Sequence, residues 1–206
     1  EEGFVLRKGN TYDIALRFLD YGIYARNKLR YYDIAKNQVD ILADETGEKI
    51  RLTALEDDYC VLLYRRMGNH PLQTSAEIGN RRYLHQLAAG KSILASLPES
   101  EVERIIERRG LPPRTENTIT EKAKLLDELE LIRERGYAYN RGESIDGLNA
   151  VGACFRDEDG HPLGALSISG PANRLQGSLF KEELPNLLLG AINEVEINLK
   201  YAKEPS

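Results

Sequence analysis

Three short stretches hold residue types that could do chemistry. The first is Ala88-Ala89-Gly90-Lys91-Ser92. It invites comparison with a phosphate-wrapping loop, but that loop needs a glycine five residues before Gly90, and His85 stands there. Small side chains at a helix start still allow a ligand carboxylate to approach backbone N–H groups and the positive end of the helix dipole. Close packing of one element on another would use the same small residues, and chemistry alone leaves both readings open. The second stretch is Ser167-Ile168-Ser169-Gly170-Pro171. On a strand the period of two sends Ser167 and Ser169 to one face and Ile168 to the other. Two hydroxyls on a buried face either bond to each other or to backbone, or they serve a small polar ligand. The third is Glu143 with Asp146, which could form a carboxylate pair for acid–base work but reads better as a solvated loop. There is no GxSxG nucleophile elbow.

The elements that must position these residues follow from hydrophobic period and turn signals. Residues 1–11 read as a strand and a Gly-Asn turn. Apolar residues at helical spacing predict helices over 12–29, 33–46, 84–97, 98–110, 121–135 and 178–202, with Thr120 as a cap and Gly47, Gly110 and Gly136 as stops. Pro185 either starts the last helix or kinks its first turns. Strand patterns cover 50–55, 59–65, 137–143, 150–156 and 163–169, and residues 79–83 read as a polar, basic loop. Glu56-Asp57-Asp58 and Asp157-Glu158-Asp159-Gly160 are hairpin turns. Strands clustered in hairpins, not alternating with helices, predict an α+β fold: an antiparallel sheet flanked by helices, like a PAS/GAF sensor domain.

Composition narrows the function. Lys+Arg number 28 against 33 Asp+Glu, a formal net charge of −5, so nucleic-acid contact is not the main task of these residues. The two cysteines, Cys60 and Cys154, sit in apolar runs and read as buried thiols. Neither they nor His70, His85 and His161 show metal-ligand spacing, so no metal or cofactor is expected. No export signal or membrane-length apolar run is present, which predicts a cytoplasmic protein without a membrane partner. The 11 tyrosines read as core edges and interfaces.

Three stretches, in order, resemble the IclR (isocitrate-lyase-regulator-type) family of transcriptional regulators: residues 9–22, 84–120 and 128–175. The last is the most specific, with Gly147-x-Asn149 leading to Ala153, the DxDG turn and Ser167-x-Ser169-Gly170-Pro171-x-x-Arg174 in one frame. The resemblance implies an N-terminal winged helix-turn-helix and a C-terminal effector domain that senses small carboxylates or aromatic acids. It divides the chain into 1–11, the end of a mostly missing DNA-binding head; 12–29, a linker helix; and 30–206, the effector-binding domain. It implies operator DNA as a partner through the head, and a homodimer or homotetramer. It maps the effector site to Ala88, Ala89 and Gly90, to Leu148, Asn149 and Ala150, and to Ser167 and Ser169.

The sequence departs from the family pattern at Gln86-Leu87-Ala88 and at Ala150. Fewer polar groups there lead us to expect a more apolar effector. Arg81 and Arg82 could supply a cation for an anionic ligand, although a surface position is the preferred reading. The expected mechanism is population shift: effector binding favours one arrangement of the domains and the linker helix, with Phe18 and Leu19 packed on a partner subunit or within the chain, passes it on. Two other classes remain in play, a stand-alone PAS/GAF-like sensor and a small hydrolase using Ser167, Ser169 or Glu143.

Overall fold

The computed structural model describes residues 3–69 and 77–202; His70 therefore lies outside the described residues. A hairpin of β1 (Val5–Lys8) and β2 (Thr11–Ile14) turns at Gly9-Asn10 and leads into α1 (Arg17–Asn27). The helix expected over 12–29 is thus shorter, because Thr11, Tyr12, Asp13 and Ile14 complete the hairpin. Phe4 closes this unit by packing on Phe18, with ring centroids 5.2 Å apart. Phe18 and Leu19 remain exposed, as do Tyr12, Ile14 and Leu16.

The rest is a six-stranded antiparallel sheet with helices on both faces, ordered β5-β4-β3-β8-β7-β6. Its strands are β3 (Lys49–Glu56), β4 (Tyr59–Met67), β5 (Arg81–Tyr83), β6 (Ala138–Arg141), β7 (Leu148–Arg156) and β8 (Pro162–Pro171). The α+β class and the sensor-like layout agree with the sequence. Asp57 and Asp58 take positive φ in the β3–β4 turn, which suits a tight hairpin matched to strand twist. Residues 81–83 are a correction: they add an edge strand to β4 instead of forming a loop.

One sheet face packs on α2 (Tyr32–Thr46) and α6 (Leu184–Tyr201), where Ile50, Leu52, Val151, Phe155, Leu166 and Ile168 meet Val39, Leu42 and Leu188. The other face packs on α3 (Ala88–Ser96), α4 (Glu99–Arg109) and α5 (Lys122–Arg135). The expected helix over 84–97 is broken. Leu84–Gln86 forms a 3-10 turn, and Leu87, in extended conformation, restarts the chain as α3. The start of α5 also differs, since its cap position is Glu121, with no side-chain cap bond, and Thr120 does not serve. Before α6 the chain makes a π turn over Leu179–Glu183, and Pro185 falls in the first turn of α6, where its missing N–H costs nothing. Gly47 and Gly136 end α2 and α5 in the left-handed conformation expected of helix-stopping glycines. Among the described residues no helix is long and apolar enough to cross a membrane.

Phe155 is fully buried and packs edge-on to Tyr31 at 5.1 Å, joining the sheet to the start of α2. Replacing Phe155 with Ala is expected to cost about 3–5 kcal/mol, from lost transfer energy plus a residual cavity. Urea unfolding of wild type and variant measures it.

Candidate effector site

The site is built where α3 meets the sheet. Gly152 of β7 faces the first turn of α3, and a Cβ there would lie 2.3 Å from the backbone nitrogen of Ala89 and 2.4 Å from the carbonyl carbon of Ala88. Only glycine lets the helix start rest directly on the strand. Gly90 serves the same seating from the helix side, since a Cβ on it would meet the carbonyl oxygen of Leu84 at 2.1 Å. The small residues therefore divide their roles. Gly90 allows close packing, and Ala88 and Ala89 line a cavity. Leu87 holds the cap position without a side-chain acceptor, so the cap residue leaves the first-turn amides of α3 uncapped.

That inner chamber has a volume of about 30 Å³ and is closed by Ala88, Ala89, Asn140, Leu148, Ala150 and Ser167. At roughly 10–15 Å³ per water it admits two or three heavy atoms, the size of a carboxylate group. It adjoins an outer chamber of about 70 Å³. Arg51, Thr53, Leu87 and Ser144 belong to both walls. The outer chamber adds Cys60, Leu62, Asn80, Arg82, Gln86, Arg114 and Ile145. Among the described residues no Asp, Glu or His lines either chamber.

Strand parity explains which expected residues meet here. Leu148 and Ala150 point to the α3 face. Asn149, between them, points away and donates its Nδ2–H to the Leu175 carbonyl at 2.9 Å, outside both chambers. Adjacent strand residues cannot share a face, so the expected trio splits. Ser167 faces the inner chamber. It is 6% exposed, and its hydroxyl has no hydrogen-bond partner among the described residues. Ser169 lies on the same face beside Ala150 in register, but its hydroxyl donates to the Lys49 carbonyl at 3.4 Å and it lines neither chamber. Glu143 and Asp146 do not pair. Asp146 is exposed, and Glu143 is buried against Lys91 Nζ at 2.6 Å. Lys91 is 1% exposed on α3, so this ion pair ties the helix to the β6–β7 loop. Asn140 extends the tie, donating to the Gln86 carbonyl at 2.7 Å and accepting from the Glu143 N–H at 3.1 Å.

Leu87 and Ala150 do line the inner chamber, and arginines join them in the two walls. Arg81 is exposed and paired with Glu56 at 2.6 Å, whereas Arg82, expected at the surface, lines the outer chamber with Arg51 and Arg114. Arg51 and Arg114 escaped notice in the sequence. The strand alternation Ile50-Arg51-Leu52-Thr53 does carry a signal for Arg51, because it puts Arg51 and Thr53 on one face. Burial and mutual repulsion leave their mark: Arg51 is pushed below the usual guanidinium range by burial and then by Arg65 and Arg82, and Arg82 by burial and then by Arg114. Burial, then Arg51 and Arg65, lower Lys49 to about 8.

A second, larger groove of about 670 Å³ runs between Lys28 to Tyr31, the β7–β8 turn and the end of α6. It is a broad depression of mixed charge, lined by Arg30, Arg156 and Lys200 and by Asp157, Glu158, Asp159 and Glu196.

The model of the bacterial transcriptional regulator IclR C-terminal domain matches residues 26–194. The chain belongs to the IclR family. It is 34% identical over 204 residues to the probable HTH-type transcriptional regulator ArcR of Halobacterium salinarum, covering 97% of this chain and 78% of that protein. Its fold superposes on the IclR of Thermotoga maritima with a TM-score of 0.86 and 33% identity, covering 97% of this chain and 81% of the other. It is also similar to the inducer-binding domain of the PobR transcription factor from Acinetobacter, a double mutant in complex with 3-hydroxybenzoic acid (TM-score 0.70, 26% identity, 79% of this chain and 95% of that one). The IclR family chain described here is thus related to regulators, and its sheet and helices are those of an IclR effector domain.

The seating of α3 and the buried cations can be tested by substitution. Gly152→Ala drives a Cβ into the α3 backbone and is expected to destabilise by about 1–3 kcal/mol as an overpacked site. Gly190→Ala, in the exposed interior of α6 with open space around it, is expected to stabilise by about 0.5–1 kcal/mol. Urea midpoints test both. Lys49 binds its proton more weakly folded (about 8) than at its ordinary 10.5, so the unfolded state holds more protons between those values. Stability of wild type relative to Lys49→Met must therefore rise as pH increases from about 8 towards 10.5. Paired melts across that range read the slope.

Proposed function

We propose that this IclR-family chain senses a small organic acid in the cavity between α3 and the sheet, and that this occupancy sets operator binding by a DNA-binding head. The observation that carries the reading is Ser167, buried and without a hydrogen-bond partner among the described residues, aimed into a chamber that also receives the uncapped start of α3. A carboxylate there accepts from backbone N–H groups and from the hydroxyl, and the helix dipole favours its charge. Ala88, Ala89, Leu148, Ala150 and Ser167 form the contact set. Gly90 and Ser169 support it through packing and a strand bond, and Asn149 is outside it.

The relay runs through α1, whose exposed Phe18 and Leu19, with Leu16 and Tyr24, offer an apolar face to a second copy. A homodimer or a pair of dimers gives that face a partner. The effector then shifts the dimer between two arrangements by no more than its difference in affinity for them. A hydrolase finds no support in the lining, because among the described residues Ser167 has no histidine or carboxylate in the chamber wall to act as base. The site reads as one that binds without turnover.

A thermal-shift screen of the chain against pyruvate, hydroxybenzoates and sugar acids tests the reading. At least one acid is expected to raise the melting midpoint by mass action. Ser167→Ala is expected to weaken that acid by about tenfold, the worth of a hydrogen bond to a charged group, while Asn149→Ala leaves its affinity unchanged. Equal affinity in Ser167→Ala, or hydrolysis of simple esters abolished by that substitution, counts against the proposal.

A further inference from the structure

We infer that the effector is an elongated dianion, whose second anionic group is held at the outer chamber by Arg82 and Arg114. This rests on the reading of the cavity as an effector site, and it names the class of effector.

What sets these two arginines apart is that they share one cavity wall. Several other arginines meet carboxylates, Arg66 with Asp40 and Asp44, Arg104, Arg108 and Arg109 around Asp58, Arg135 with Glu128, and Arg174 with Glu48, while Arg133 and Arg156 bond to the Ala95 carbonyl and the Ser96 hydroxyl. With 33 acidic residues to 28 basic ones, carboxylates are in excess. Yet among the described residues neither Arg82 nor Arg114 reaches a carboxylate, and they line one chamber in which no acidic residue stands. Two like charges beside one cavity cost free energy unless an anion enters between them. The depressed proton affinity of Arg82, caused by burial and then by Arg114, reports the same repulsion.

Strand pairing places Arg82, and a backbone carbonyl holds the guanidinium of Arg114. Arg82 sits on edge strand β5, its partner in register being Cys60 of β4. Arg114 reaches over the mouth from the α4–α5 loop, its Nε–H donating to the Ser144 carbonyl at 2.8 Å. That loop is fixed in turn by Thr115 Oγ1 on the Gly142 carbonyl and Thr118 Oγ1 on the Glu143 carbonyl, each at 2.7 Å. The inner chamber is sized for a carboxylate and lies beyond Arg51 and Thr53, which both chambers share. A ligand that fills both therefore has an acid at each end with a short polar spacer. A dicarboxylate and a phosphorylated hydroxy acid both meet that description, because guanidinium forks accept either anion.

Calorimetric titration of the 206-residue chain with two matched pairs tests this: succinate against butyrate, and 3-phosphoglycerate against glycerate. In at least one pair the dianion is expected to bind about tenfold or more tighter than its monoanion, by the worth of a charged hydrogen bond. The pair that discriminates tells whether the outer group is a carboxylate or a phosphate. The double substitution Arg82→Gln, Arg114→Gln is expected to erase the preference while monoanion affinity stays within about twofold, as for a distant, independent contact. Ser167→Ala is expected to weaken both members of a pair equally. Equal binding of monoanion and dianion in both pairs, or a preference that survives the double substitution, overturns the dianion inference and leaves small-acid sensing standing. No binding of any of the four acids contradicts both.

Discussion

The structure depends on one close approach, the first turn of α3 seated on Gly152. Because no Cβ stands at Gly152, the backbone of Ala88 and Ala89 lies against β7. Because none stands at Gly90, the same turn folds back onto Leu84. These contacts fix where the N–H end of the helix points, and the extended Leu87 keeps a side-chain cap away from it. A helix start without a cap leaves donors unsatisfied. Here they are brought to the edge of a small chamber floored by strand residues and set beside the Ser167 hydroxyl, which has no partner among the described residues.

What surrounds that contact holds it under tension of charge. The buried Lys91–Glu143 pair couples α3 to the loop that borders both chambers. Such a pair contributes little net stability compared with apolar packing, but its geometry is exacting, because either partner alone would be a buried charge. On the other side the arginines and Lys49 bring positive charge to the sheet face. The chain as a whole is acidic, so this field is local. Among the described residues, the lining brings donors and cations together without a carboxylate, which suits an anion.

Much of this was legible in the sequence and some of it was not. Hairpin turns and helix stops are local, so the sheet and most helix ends followed from residue type. Ser167 and Ser169 fell on one face by the period of two. Asn149 was misplaced by treating three consecutive strand residues as one group. The break at Leu87 was hidden because Leu84 to Leu97 is continuously helical in pattern; the close packing of Leu84 on Gly90 is a tertiary effect. Arg82 looked like a surface charge because β5 is only three residues long, too short to carry a strand pattern. Arg114 comes from a loop whose course is set by the hydrogen bonds of Thr115 and Thr118. Gly152, within a strand, is a further signal beside the alternation at Arg51, since an interior strand glycine marks close backbone approach.

The central claim is that acid binds at the start of α3. Amide chemical shifts during titration of the chain with an acid that stabilises it address this most directly. The account predicts that the amides of Ala88, Ala89 and Gly90 move furthest and saturate together with Ser167. Shifts confined to the groove around Arg30, Arg156 and Lys200, with the α3 amides unmoved, would contradict it.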